Sequence, residues 1–167
     1  MHPDLLAAFG SIDVKNYVVE YPSMDTYVSY RYAPDPFGAS NREARYNPQG
    51  VACFYIADSI ETAQREVRFN FNLKELYHVT SGSFFAFNAA KFANDFSLSP
   101  MLTGAESDGG YEFCQELAAH VTGYGLSGVA YPSRQMALQG KTGMCMALLP
   151  QSWQLESGKL MIFEPPS

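Results

Sequence analysis

Cysteine, tryptophan and clustered basic residues are scarce in this chain, and each shortage removes a class of protein. The 3 cysteines, Cys53, Cys114 and Cys145, are odd in number and widely spaced. They form no C-x-x-C pair and have no histidine at ligand spacing, which argues against a disulfide framework and against a metal site. Each lies among apolar neighbours and reads as a small core residue. The net charge of −6 and the lack of any basic run leave out the electrostatic footprint of a nucleic-acid binder. No apolar run approaches the roughly 18 residues of a membrane span. Residues 1–15, MHPDLLAAFGSIDVK, lack a basic segment followed by an apolar one, so no leader is expected and a reducing, cytoplasmic setting is. Neither a G-x-G-x-x-G nor a P-loop pattern occurs. No G-x-S-x-G elbow surrounds Ser133, and nothing pairs it with His2, His78 or His120 as a triad.

What the chain has is apolar and aromatic material. Of 167 residues, 47% are hydrophobic, with 12 Phe and 11 Tyr, enough for a substantial core in one domain over residues 1–167. The pattern predicts a short helix at Asp4–Phe9 and strands at Asn16–Glu20, Thr26–Tyr32, Leu76–Val79, Phe84–Phe87, Ser127–Tyr131, Met144–Leu149 and Leu160–Phe163. Leu76–Val79 and Phe84–Phe87 are separated by Thr80-Ser81-Gly82-Ser83 and read as a hairpin. Asn88–Gly110 reads as a loop after a weakly helical start, and Tyr111–Val121 as a helix ended by Gly123 and Gly125. Pro132 stops its strand and leaves Ser133 on the following loop. Strands outnumber helices without alternating with them, which gives an α+β class: a twisted, mainly antiparallel core flanked by helices.

One stretch concentrates both structure and chemistry. In Ala44–Arg68, ARYNPQGVACFYIADSIETAQREVR, the turn signal Asn47-Pro48-Gln49-Gly50 precedes an apolar strand at Val51–Ala57. A helix over 59–70 follows, capped by Asp58 or Ser59, with Glu61 as capping-box partner of Asp58. Ile60, Ala63 and Val67 form its apolar stripe, and Glu66 falls at the stripe's border, closer to Ala63 than the exposed Arg65 and Arg68. Glu66 is therefore placed to face a cleft, although the same position suits an ordinary surface carboxylate.

The candidate functional residues are Arg31, Tyr32, Arg45, Tyr55, Glu66 and Ser133, from separate segments that only the fold can bring together. Arg31 sits between Tyr30 and Tyr32, where desolvation asks for a carboxylate or an anion as partner. Arg45 precedes a tight turn and also fits a solvated loop. Tyr55 lies in a buried strand, where core packing alone accounts for it.

Taken in order, Tyr30-Arg31-Tyr32, R-Y-N-P-Q-G at 45–50, Y-I-A-D-S-I-E-T-A-Q-R-E at 55–66 and Tyr131-Pro132-Ser133 resemble the RES-domain family. The likeness runs from about residue 30 to 149. The family is named for an arginine, a glutamate and a serine, matched here by Arg31, Glu66 and Ser133. It often carries Gly-Gly-Arg-Trp-Asn where this chain has Glu43-Ala44-Arg45-Tyr46-Asn47. The resemblance implies a toxin of a bacterial toxin–antitoxin pair that depletes NAD, with a fold like that of the ADP-ribosyltransferase toxins. It implies NAD as substrate rather than cofactor, an antitoxin protein as partner, and it allows a homo-oligomer. Glu66, Arg31 and Ser133 would be catalytic; Arg31 and Arg45 would clamp phosphates, Tyr32 and Tyr55 would enclose the nicotinamide and its ribose, and Ser133 would hydrogen-bond a phosphate or ribose. The acceptor could be water, inorganic phosphate or, in an ADP-ribosyltransferase, a macromolecule. A non-catalytic nucleotide- or partner-binding module is the alternative from another class.

Overall fold

The computed structural model describes residues 3–21, 28–29, 43–51, 53–66, 84–103, 110–148, 153–156 and 159–162. Helix α1 (Pro3–Gly10) opens with proline at its first position, where the missing N–H costs nothing, and buries Leu5, Ala8 and Phe9 along one face. A single 3₁₀ turn, Val14–Tyr17, is capped by Asp13, whose carboxylate accepts the Lys15 N–H. The strand expected at Asn16–Glu20 therefore begins later, as β1 (Val18–Tyr21). Of the strand expected at Thr26–Tyr32, only β2 (Val28–Ser29) lies within the described residues.

The remaining elements are β3 (Phe54–Ala57), α2 (Ile60–Glu66), β4 (Phe84–Asn88), α3 (Ala89–Asp95), α4 (Ser99–Thr103), α5 (Gly110–Thr122), β5 (Gly128–Pro132), α6 (Arg134–Leu138), β6 (Met144–Leu148), β7 (Trp153–Glu156) and β8 (Lys159–Ile162). The first six strands form one sheet in the order β1-β4-β5-β6-β3-β2, and β7 with β8 forms a separate antiparallel pair. Only β4 and β5 run parallel. Their connection passes through α3, α4 and α5, the long crossover that parallel neighbours require. The fold is α+β with a mainly antiparallel sheet, as the sequence pattern indicates.

Register explains why the central strands are apolar throughout. Tyr55, Ala147, Val129 and Phe87 stand in one row across β3, β6, β5 and β4. They join residues of α1, α3, α4 and α5 in a single buried cluster. The neighbouring row contains Ile56, Met146 and Ala130, and these are buried as well. A strand covered on both faces loses its polar alternation. At Gly128 the sheet also demands the absence of a side chain, because a Cβ there would overlap the Ala147 carbonyl.

Several expectations are corrected. The helical start expected after Asn88 is α3, which Asn88 caps by accepting the Lys91 N–H and which buries Ala89, Phe92 and Ala93; where a loop was expected to follow, Ser99–Thr103 forms α4, and residues 104–109 lie outside the described residues. The partners of β4 are β1 and β5; residues 76–79, the other half of the expected hairpin, lie outside the described residues. Ser133 is, as expected, the first residue beyond its strand, but no longer loop follows it: it caps α6, which starts at Arg134. The strand expected from Val51 starts at Phe54, because Val51 still belongs to the turn closed by its N–H on the Pro48 carbonyl, with Gly50 at φ +88°. The last strand runs Lys159–Ile162, and its partner β7 was not anticipated.

Candidate functional site

Strands β3 and β5 end at the same edge of the sheet, and each passes directly into a short helix. After β3, Ser59 caps α2: its Oγ accepts the Thr62 N–H at 3.1 Å and donates to Thr62 Oγ1 at 2.9 Å. Asp58 is therefore not the cap, and its Oδ1 is buried without a hydrogen-bond partner among the described residues. Glu61 does not close a capping box; it pairs with Lys141 at 2.6 Å and with Arg65 at 3.5 Å. Arg65, expected to be exposed, is half-buried. Ala63 is fully buried, whereas Arg68 and Val67 lie outside the described residues.

Glu66, in the last described turn of α2, reaches the first turn of α6. The Ser133 hydroxyl donates to Glu66 Oε1, and the Gln135 N–H approaches the same oxygen at 3.4 Å. Ser133 Oγ simultaneously accepts the Met136 N–H at 3.2 Å, so one hydroxyl acts as donor to the carboxylate and acceptor for the helix. Two otherwise unpaired N–H groups at the head of α6 are thus provided for. Ser133 itself is 2% exposed. Both contacts fall on Oε1. The second oxygen has no hydrogen bond among the described residues, so the carboxylate is held by one side and offers the other.

A second assembly surrounds the turn at Ala44–Asn47. Ala44 and Asn47 pair through both backbone bonds, which puts Arg45 and Tyr46 at the tip. Tyr55 holds this turn from β3: its hydroxyl donates to Asn47 Oδ1 at 2.6 Å and accepts the Tyr46 N–H at 3.0 Å. From α5, the Gln115 side-chain amide donates to the carbonyls of Ala44 at 3.0 Å and Asn47 at 3.3 Å. Tyr46 packs against Tyr131, with ring centroids 4.3 Å apart and the ring planes tilted by 35°. Arg45 donates to the Leu102 carbonyl at 3.1 Å and lies over the Tyr111 ring at 5.1 Å.

Arg45 carries positive charge into this assembly, and the Glu43 carboxylate, which accepts from the same Gln115 amide at 3.1 Å, carries negative charge at its outer side. Burial opposes its positive charge, but Cys114, Tyr46 and Tyr111 around it more than offset that, so its proton is held more tightly than usual. Burial pushes the Tyr46 hydroxyl well above the ordinary tyrosine range; the Cys114 thiol adds to the rise and Arg45 opposes it. Burial also raises Cys114, with Arg45 pulling the other way. At neutral pH Tyr46 and Cys114 are therefore neutral beside the Arg45 guanidinium.

A family model described as the RES domain matches residues 22–159. The chain belongs to the RES-domain family. Neither curated proteins nor solved structures gave a match. For a RES domain, membership carries a NAD-related function associated with toxin–antitoxin pairs, with NAD as substrate and an antitoxin as partner at the level of the family.

Of the residues expected in the site of this RES domain, Glu66 and Ser133 are in direct contact. Arg31 and Tyr32 lie outside the described residues. The contacts described for Arg45 lead to α4 and α5, and those for Glu66 lead to α6. Tyr55 is not an open pocket wall. The residue is 3% exposed and its hydroxyl is occupied by the turn. Gln115 was missed, since a glutamine inside an amphipathic helix carries no signal of its own; Asn47 was read only as a turn former. All three cysteines are buried. Among the described residues, no helix is long and apolar enough to cross a membrane, and no cluster of His, Cys, Asp and Glu is placed to hold a metal ion.

Proposed function

We propose that this RES domain breaks the bond between nicotinamide and ribose in NAD, by hydrolysis or phosphorolysis, and acts as a toxin by depleting NAD. The observation that carries the reading is the Glu66 carboxylate, pinned through one oxygen by Ser133 and the head of α6. As the C–N bond lengthens, its electron pair leaves with nicotinamide and positive charge gathers on the ribose. A carboxylate that cannot turn away stabilises that charge without reorganising during the reaction. Glu66 Oε2 faces the sugar in this scheme, or takes the proton of the incoming water. With water as acceptor the products are nicotinamide, ADP-ribose and a proton.

Arg31 and Arg45 supply the planar donors that suit a pyrophosphate, and Tyr32 a flat face for the nicotinamide ribose. Ser133 acts through Glu66, and Tyr55 acts through the turn that carries Arg45. An antitoxin encoded with the toxin would hold the activity in check.

Incubating the purified protein with NAD and measuring free nicotinamide tests the reading. Replacing Glu66 by Gln keeps an oxygen for Ser133 and removes the charge; turnover should fall by about 10²–10³, the scale for losing one fixed electrostatic stabiliser. Absence of nicotinamide release from folded, partner-free protein overturns the proposal. Label appearing on a macromolecule in place of free ADP-ribose would reassign the acceptor, and NAD binding without consumption would make the domain a binding module.

A further inference from the structure

Helices α2 and α6, which carry Glu66 and Ser133, meet on a residue that belongs to neither. Gly143 comes just before β6, and its carbonyl accepts the Ser133 N–H at 2.9 Å. The next carbonyl, of Met144, accepts the Asp58 N–H at 3.0 Å. These two adjacent residues therefore anchor the entrances of both helices. Backbone conformation does not explain a glycine here, since the left-handed glycines among the described residues are Gly50, Gly125 and Gly140. Space does. A Cβ on Gly143 would stand 2.5 Å from Thr62 Oγ1 and 3.0 Å from Thr62 Cγ2 on α2, and 2.9 Å from Met136 Cγ on α6.

Thr62 has nowhere to go. It is β-branched, with a restricted χ1 in a helix, and its Oγ1 accepts the hydroxyl of the capping Ser59. It is also 1% exposed. A methyl group on Gly143 must then separate α2 from α6, and the side-chain link between them that would be stretched is Ser133 to Glu66. We infer that Gly143 is a positioning residue: its missing side chain sets the spacing of the two helices and so seats Glu66 against Ser133. The catalytic consequence rests on Glu66 being the acting carboxylate; the spacing itself does not.

The test is a double-mutant cycle of unfolding stability on the full chain, with Glu66→Ala and Ser133→Ala, run with Gly143 intact and in a Gly143→Ala background. The coupling between the two side chains should be present in the first and lost in the second. Adding Thr62→Ala, which leaves only the pliable Met136 to yield, should restore it. In parallel, kcat for nicotinamide release should fall about tenfold or more on Gly143→Ala with KM changed less than about twofold, and recover with Thr62→Ala. Undiminished coupling in the Gly143→Ala background overturns the inference whatever the activity. A wild-type protein that releases no nicotinamide refutes the enzymatic reading and leaves the coupling to decide Gly143 by itself. If the single substitution prevents folding, the combination with Thr62→Ala should fold and retain the coupling; a combination that folds no better also overturns it.

Discussion

Replacing Ser133 by Ala removes one oxygen with two duties, and the structure lets their costs be separated. Losing the cap on the Met136 N–H costs about 1 kcal/mol by the usual worth of a serine N-cap. Losing the hydrogen bond to the Glu66 carboxylate costs about 1.5–3 kcal/mol for a charged partner. Glu66 is only half-buried, so water takes over part of that second interaction and the lower end applies. The expected total is about 2–3 kcal/mol. For a chain of this size that corresponds to a fall in Tm of roughly 4–12 °C. Glu66→Ala removes the carboxylate and leaves the cap, so its cost should be the smaller by about the 1 kcal/mol of the cap. Denaturant unfolding of both variants measures the difference, and nicotinamide release per folded molecule measures the consequence for Glu66. A Ser133→Ala protein within about 0.5 kcal/mol of wild type would refute the energetic argument. One that is destabilised yet turns over NAD normally would reduce Ser133 to a helix cap and remove it from the site.

Tyr55→Phe keeps the ring and deletes the hydroxyl that joins Asn47 to the Tyr46 N–H in a buried setting, so a loss of about 2–4 kcal/mol is expected in urea unfolding. A shift of the midpoint worth under about 0.5 kcal/mol would mean that the turn is not held this way. Acid should release a different contact. The Tyr17 hydroxyl and then Lys91 hold the Asp95 carboxyl below its ordinary pKa. A depressed folded-state pKa stabilises above the unfolded value of 3.8 and is lost as pH falls through the folded one. Tyr17→Phe should therefore flatten stability against pH below about 4, and an unchanged acid limb in circular dichroism would contradict it.

The legible parts of the sequence were those in which a local pattern and the tertiary contact agree. Gly50 ends a turn signal that favours a positive φ, and it takes one at +88°; Val129, Ala130 and Met146 are apolar because both sheet faces are covered. Glu66 was legible as a border position on α2, yet its partner was not: the contact with Ser133 depends on β3 and β5 ending at one edge, a property of strand order that no window of sequence contains. The same reason hides the neighbours of Phe84–Phe87, which are β1 and β5. Helices α4 and α6 escaped, and α3 showed only as a weakly helical start, because five to seven residues give barely two turns of period; Asn88 and Ser133 marked two of them as caps, a weak sign without the burial of Phe92 or Met136 beside it. Tyr55 was read for its ring, and the structure uses its hydroxyl. The family likeness supplied what periodicity could not, the association of Arg31, Glu66 and Ser133 in one name.

The pairing of β3 with β6 has a consequence in time. A ribosome emits β3 and α2 early, but the strand that flanks β3 on its long edge begins only at Met144. At about 5–20 residues per second, roughly 4–18 s pass between the two during synthesis. The Ser133–Glu66 contact spans 67 residues and cannot close before that interval is nearly over. On the proposed reading, no nicotinamide is released by a nascent chain until β5 and the head of α6 have been made.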